Sequence, residues 1–403
     1  MERYAADIPS IDSQETNVGP ATGSIMGMMN RRGLLVGMTG MACTWSSHAV
    51  SELVVAQVGP MTGPLGPNGL ANYLGAKACF DFVNTQDGIN GAKIRFVRED
   101  DRYKADETVR LLELVTKRDK PVAFVNILGS ANVSTVLKEK LLDRLEVPVI
   151  GVTPGAEDLR QPGSPWLFHV HAGDKSQIER ILGHLSTLGV ARLAVVYQDI
   201  PFGKNGLALV DKLAGPMKVE ILGRVPVPAG SDDLKGAAVE LRKTGAQTYL
   251  MILAPNSGAS LVRDVRLAGD RTPIYGMSYV PADAIVAKAP PGSAAGVALA
   301  QITPNASTFN TGVTREFRRA MSKFVPEVAE PSQLHLVGYI TARITVEGLR
   351  LAGANPTPAS LARALRRVRL DLGGYNVDFT GADNVGSRYV NIGVIDGRGR
   401  LIY

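Results

Sequence analysis

The stretch Val55–Gly69, VAQVGPMTGPLGPNG, decides how this chain is read. With Leu53 and Val54 ahead of it, the run through Val58 is apolar and of strand length. It passes straight into a loop of four glycines and three prolines, and a helical pattern follows over roughly 69–84. Such a turn between strand and helix often cradles a phosphate. The spacing argues against that here. No Lys-Ser/Thr pair follows the last glycine, and Gly59, Gly63, Gly66 and Gly69 do not fit G-x-G-x-x-G. The loop still places backbone N–H groups at a helix start, where a carboxylate can be held.

Working outward, the alternation of apolar run and amphipathic stretch repeats. AKIRFVRED precedes a helix near 104–119, PVAFVNIL leads into one over 131–144, and VPVIGV and PWLFHV follow. The plan restarts near residue 171 with a helix at 174–188, then RLAVVYQ, MKVEILGRVPV, TYLMILA, TPIYGM and GVALAQI separated by further helical stretches. Near-continuous Val/Ile/Leu runs are what strands covered on both faces look like, and their alternation with helices implies parallel sheets. The expected fold is α/β, with two Rossmann-like lobes joined by a multi-strand hinge. Residues 50–171 with 301–373 form the first lobe, and 172–300 with 374–403 the second. Helices are expected near 311–325, 333–353 and 358–369, and Asp396-Gly397 signals a terminal hairpin.

Residues 1–49 read as a leader and signal region. Arg31 and Arg32, a mostly apolar stretch from Gly33 to Trp45, and Ser47-His48-Ala49 follow the plan of a secretory signal cleaved near Ala49. Removing these residues, with three Arg against four acids, turns the formal charge of +6 into +7. Cys79 is then the only cysteine, and its apolar helical setting makes it a core residue. The arginines of LARALRRVRL (361–370) read as the wet face of a helix capped by Thr357-Pro358. Without interleaved aromatics they do not suggest nucleic-acid binding. No catalytic set assembles, so no enzyme is expected. His169-x-His171 lies on one strand face, more in keeping with polar surface or a lobe-junction hydrogen bond than with a metal pair. Asp100-Asp101 falls at a cleft-facing strand end, and Asp232-Asp233 reads as a helix cap.

Taken in order, VAQVGPMTGPLGPNG, DFVNTQDGINGAKIRFVREDD, NILGSANVSTV, VPVIGVTPGAEDLRQP, VVYQDIPFGKNGL and VEGLRLAG resemble the solute-binding proteins of branched-chain amino-acid (Leu/Ile/Val) type ABC transporters, which have the type I periplasmic binding protein fold. The resemblance spans Glu52 to Tyr403. It implies a periplasmic, monomeric receptor, in no need of a cofactor, that closes on an amino acid or small carboxylate and meets a membrane ABC permease. A ligand sensor coupled to a regulatory partner is the alternative on the same fold. By resemblance, Ser130 and Ala131 hold the ligand carboxylate, Gly155 and Ala156 offer backbone, Phe202 covers the apolar part, and Asn68 lines the wall. Glu157 stands where a Thr or Ser is usual, and Ser278 stands where relatives commonly carry the acid for the ligand ammonium. An acid usual near the lobe junction aligns with Asp174 or Lys175. The loops at Tyr103 and Gly129, joined by a disulfide in some relatives, carry no cysteine here.

Overall fold

A computed structural model describes residues 52–403 except Pro64, Pro154, Gly155, Gln161 and Pro162. The expected export signal and Gly155 therefore lie outside the described residues. Strand β1 (Glu52–Gly59) is buried from Leu53 onward and sits between β2 (Lys93–Asp100) and β3 (Ala123–Val125). With β4 (Val149–Ile150) and β5 (Leu167–Phe168) these form a wholly parallel sheet of order β2-β1-β3-β4-β5. The crossovers are α1 (Gly66–Asn84), α2 (Ala105–Asp119), α3 (Ser130–Lys138) with α4 (Leu141–Leu145), and a short 3-10 turn at Glu157–Leu159. The helix expected over 131–144 breaks at Lys140, which adopts φ 52°. The break turns Leu141 and Leu142 inward, and both are buried.

After α5 (Asp174–Thr187) a second sheet is built from β6 (Arg192–Gln198), β7 (Glu220–Val227), β8 (Thr248–Ile252), β9 (Ile274–Gly276) and β10 (Val297–Gln301). These five are parallel, and α6 (Pro201–Ala214), α7 (Lys235–Lys243), α8 (Pro255–Leu267) and α9 (Ala282–Lys288) connect them. The short α9 has no counterpart in the sequence reading. In each sheet the order reverses beside the first strand of the lobe, which leaves a crevice at the carboxyl ends of the strands.

The chain then returns to the first lobe with α10 (Gly312–Phe324), α11 (Gln333–Ala352) and α12 (Pro358–Leu365). Glycines let α11 lie directly on α1. A Cβ at Gly338 would stand 1.9 Å from the Asn72 carbonyl oxygen, and one at Gly75 1.8 Å from that of His335. Thr357 caps α12 in a reciprocal box with Ser360. Arg363, Arg366, Arg367 and Arg369 are exposed, but the helix stops at Leu365, so they do not share one helix face. Only Arg363 lies in it, Arg366 is its C-cap and Arg369 opens the next strand. The small hairpin β11 (Arg369–Asp371) and β12 (Asn376–Asp378) stays with this lobe. Tyr375, Val377 and Phe379 lie in the first core, and the Phe379 ring meets Phe168 edge-on at 5.5 Å. The last crossing therefore follows Phe379 instead of residue 373, because these apolar side chains need the first core. Antiparallel β13 (Asn391–Ile395) and β14 (Leu401–Ile402) close the second sheet, joined by the turn at Asp396.

Three segments link the lobes. Ala172, Ile302 and Val390, one from each, gather against Val337 of α11. His169 is zipped to the third segment, its amide donating to the Asn384 carbonyl and its carbonyl accepting from Gly386, both at 2.8 Å.

Candidate ligand-binding site between the lobes

The opening loop is organised by a carboxylate of the chain itself. Asp100 Oδ1 accepts the amides of Met61 at 2.8 Å and Thr62 at 3.4 Å, and Oδ2 accepts the Thr62 hydroxyl at 2.6 Å. Burial alone would raise the Asp100 carboxyl, but these bonds and one from the Arg102 amide hold it below its ordinary value. Asp100 thus shapes the wall of the cleft and spends its charge on the loop. Asn68, near the start of α1, is almost fully buried and has no hydrogen-bond partner among the described residues.

Asp101 ties the next loops together. It accepts the Tyr103 amide at 2.8 Å and the Thr108 hydroxyl at 2.7 Å, with the Asn132 amide group at 3.4 Å. The Tyr103 ring consequently packs on Gly129, where an added Cβ would lie 2.5 Å from its Cε2. Gly129, at φ 101°, is the N-cap of α3, so Ser130 is the first helical residue and does not cap it. Among the described residues, neither the Ser130 hydroxyl nor the amides of Ser130 and Ala131 have a hydrogen-bond partner. Ala131 is exposed and Ser130 half-buried. This end of α3 therefore presents free donors and the positive pole of a helix.

Ala156 is buried, and Glu157 reaches over to the second lobe, its Oε1 accepting the Lys175 amide at 3.3 Å. Beside it, Asp174 resolves the choice left open at the lobe junction. Asp174 is 3% exposed, whereas Lys175 is a surface residue near Glu179. Asp174 Oδ1 has no hydrogen-bond partner. Burial pushes its carboxyl up to about 7, with Arg160 opposing and Glu157 adding to the effect.

Across the cleft, Phe202 opens α6 and meets the Tyr279 ring edge-on at 5.7 Å. Ser278 is buried, and its amide donates to Gln177 Oε1 at 2.9 Å. The Tyr279 hydroxyl is buried without a partner, and burial, reinforced by Asp174 and Tyr103, holds it protonated. Helices α3 and α6 approach each other here, bringing the two rims together. Sequence reasoning did not single out Tyr279, Gln177, Arg160 or the role of Tyr103. Tyr279 follows Ser278 directly at the end of β9, and that adjacency was the available signal.

The two histidines diverge. Strand β5 ends at Phe168, so alternation does not carry to His171. His171 bonds the Tyr375 hydroxyl at 2.9 Å and the Val337 carbonyl at 3.2 Å, whereas His169 lies near Arg160. Among the described residues no group of His, Cys, Asp and Glu is placed to hold a metal ion. Cys79 is buried, and burial pushes its thiol far up. Of the other acidic pair, Asp233 bonds the first amide of α7 at 3.2 Å, while Asp232 joins Lys288 and Ser260. Two cavities, of about 360 and 220 Å³, lie on the first lobe, and neither is lined by Ser130, Asp174, Phe202 or Ser278.

Residues 52–400 match the family model described as periplasmic binding protein. The chain belongs to that family. This periplasmic binding protein is 25% identical over 244 residues to the amino acid binding protein of Pseudomonas aeruginosa, covering 59% of this chain and 64% of the relative, just under two thirds of its length. Against the leucine-, isoleucine-, valine-, threonine- and alanine-binding protein of the same organism it is 23% identical, over 79% of this chain and 83% of the relative. The crystal structure of an extracellular ligand-binding receptor from Verminephrobacter eiseniae superposes with a TM-score of 0.83 at 35% identity, covering 88% of this chain and all of the other. These relatives are named for binding solutes, not for catalysis.

Proposed function

We propose that this periplasmic binding protein closes its lobes around an amino acid and delivers it to a membrane ABC permease. The observation that carries the reading is a separation of charge preference across one cleft. Free amides and the Ser130 hydroxyl at the start of α3 suit a carboxylate, while Asp174 offers an unpaired buried oxygen to an ammonium. A buried charge costs several kcal/mol unless paired, and an amino acid brings the partner for each side. Asp174 thereby supplies the acid that Ser278 does not. Phe202 and Tyr279 cover the side chain, Asn68 and the Ala156 backbone complete the walls, and Glu157 joins the lobes. Contacts that exist only when both lobes touch the ligand drive closure. The names of the Pseudomonas relatives agree with an amino-acid ligand. Export with cleavage near Ala49, a monomeric state and action without a cofactor belong to the same proposal.

Thermal unfolding against amino acids and against carboxylates lacking an amine tests it. A ligand at a hundred times its Kd should add about 2.7 kcal/mol. Stabilisation by amino acids that disappears in Asp174→Asn is the expected result; stabilisation by amine-free carboxylates alone would overturn the ammonium assignment.

A further inference from the structure

We propose that the outer edge of the first lobe carries a second site, for a small oxyanion, formed by Arg160, His169 and Arg366. A cavity of about 220 Å³ lies there, bordered by these three residues together with Ser164, Asp383 and Asn384. None of the residues assigned to the inter-lobe ligand lines this cavity, although Arg160 also acts electrostatically on Asp174 at the lobe junction.

The cavity is lined by two guanidinium groups and an imidazole whose hydrogen-bonding capacity the described residues use only in part. Arg160 is 5% exposed, and among the described residues it forms no ion pair. Its Nη1 donates to the His171 carbonyl at 3.1 Å, while Nε has no partner. His169 is 1% exposed; burial lowers its pKa and keeps the imidazole neutral. The Leu159 backbone lies within its reach, and neither ring nitrogen makes a well-formed hydrogen bond among the described residues. A buried guanidinium and a buried imidazole without partners are costly, and an anion satisfies both. Arg366 is a second, exposed cation, its Nη2 donating to the Pro165 carbonyl at 2.9 Å and its guanidinium 5.8 Å from the Phe168 ring centre. Asp383 is the one carboxylate lining the cavity, and Arg388 already answers its charge at 2.6 Å. The Asn384 amide group is likewise used, on the carbonyls of Ser164 and Leu167 at 2.9 and 3.1 Å. Glu157, Asp174 and Asp383 near Arg160 offset part of its charge, so the positive excess at the cavity is carried mainly by Arg366, and guanidinium forks suit tetrahedral or carboxylate oxyanions.

Isothermal titration calorimetry of the full chain with inorganic phosphate, and separately with acetate, tests the site at constant ionic strength. The expected result is saturable binding that Arg366→Gln weakens about tenfold, the loss of one charge-assisted contact, and that Arg366→Lys partly restores. His169→Phe, checked by circular dichroism for native folding, should weaken it as well. Binding of phosphate alone would assign the site to tetrahedral anions, and binding of acetate to carboxylates. No saturable binding of either anion, or an affinity unchanged by Arg366→Gln, would overturn the proposal.

Discussion

At the scale of single residues, Asp174 makes the sharpest claim. Its carboxyl titrates near 7 in the folded chain against an ordinary value of 3.8. Between these values the folded state holds a proton that the unfolded state has released, so stability falls as pH rises from about 4 to about 7 and levels off above. Each unit of difference corresponds to about 1.4 kcal/mol. Urea unfolding at a series of pH values should show this slope in the wild type and a flatter one in Asp174→Asn. Ligand binding has the opposite dependence. An ammonium needs Asp174 ionised, so amino-acid affinity should rise with pH up to about 7 and then level off; calorimetry that found affinity falling over that range would mean the protonated acid donates to a ligand without an amine. Gly129 is a second such position. Its φ of 101° and the Tyr103 ring leave no room for a side chain. Gly129→Ala should cost about 1–3 kcal/mol in thermal unfolding and weaken ligand binding by shifting Ser130.

At the scale of elements, helix ends and helix contacts divide the work. The box between Thr357 and Ser360 satisfies the first amides of α12. Thr357→Ala should therefore cost about 1 kcal/mol without touching ligand affinity, a split that unfolding and binding measured together would reveal. The α1–α11 contact is less forgiving. Gly338→Ala places a methyl group against the Asn72 carbonyl and should destabilise by about 1–3 kcal/mol or more, visible as a lowered Tm. Strand β1 and the capped start of α12 were legible, the one from its continuous apolar run and the other from Thr357-Pro358. The break at Lys140 was not, since the sequence on either side is helical and only the burial of Leu141 and Leu142 requires the turn.

At the scale of the whole molecule, closure is a matter of what crosses between lobes. Three linking segments meet in a small apolar cluster of Ala172, Ile302 and Val390, the place about which a hinge motion would turn. Glu157 adds a polar contact from the first lobe to the Lys175 amide at the start of α5. Glu157→Ala should favour the open form, seen as a larger radius of gyration in solution scattering without ligand. Saturating ligand should still compact the variant.

The order of strands and helices, the two lobes, and the residues at the strand ends were written in the sequence, because local periodicity and turn residues report burial and direction directly. The site residues named from it were those that follow the ends of β1, β3, β4, β6 and β9 in register. What tertiary structure decided is which polar groups remain unpaired. Asp100 was offered to the cleft but is consumed by its own loop, and Asp174 rather than Lys175 is the buried residue at the junction. Tyr279 and Arg160 acquire meaning only from neighbours far away in the chain. Desolvation and hydrogen-bond satisfaction are sums over all surroundings, and no local pattern of residues contains them.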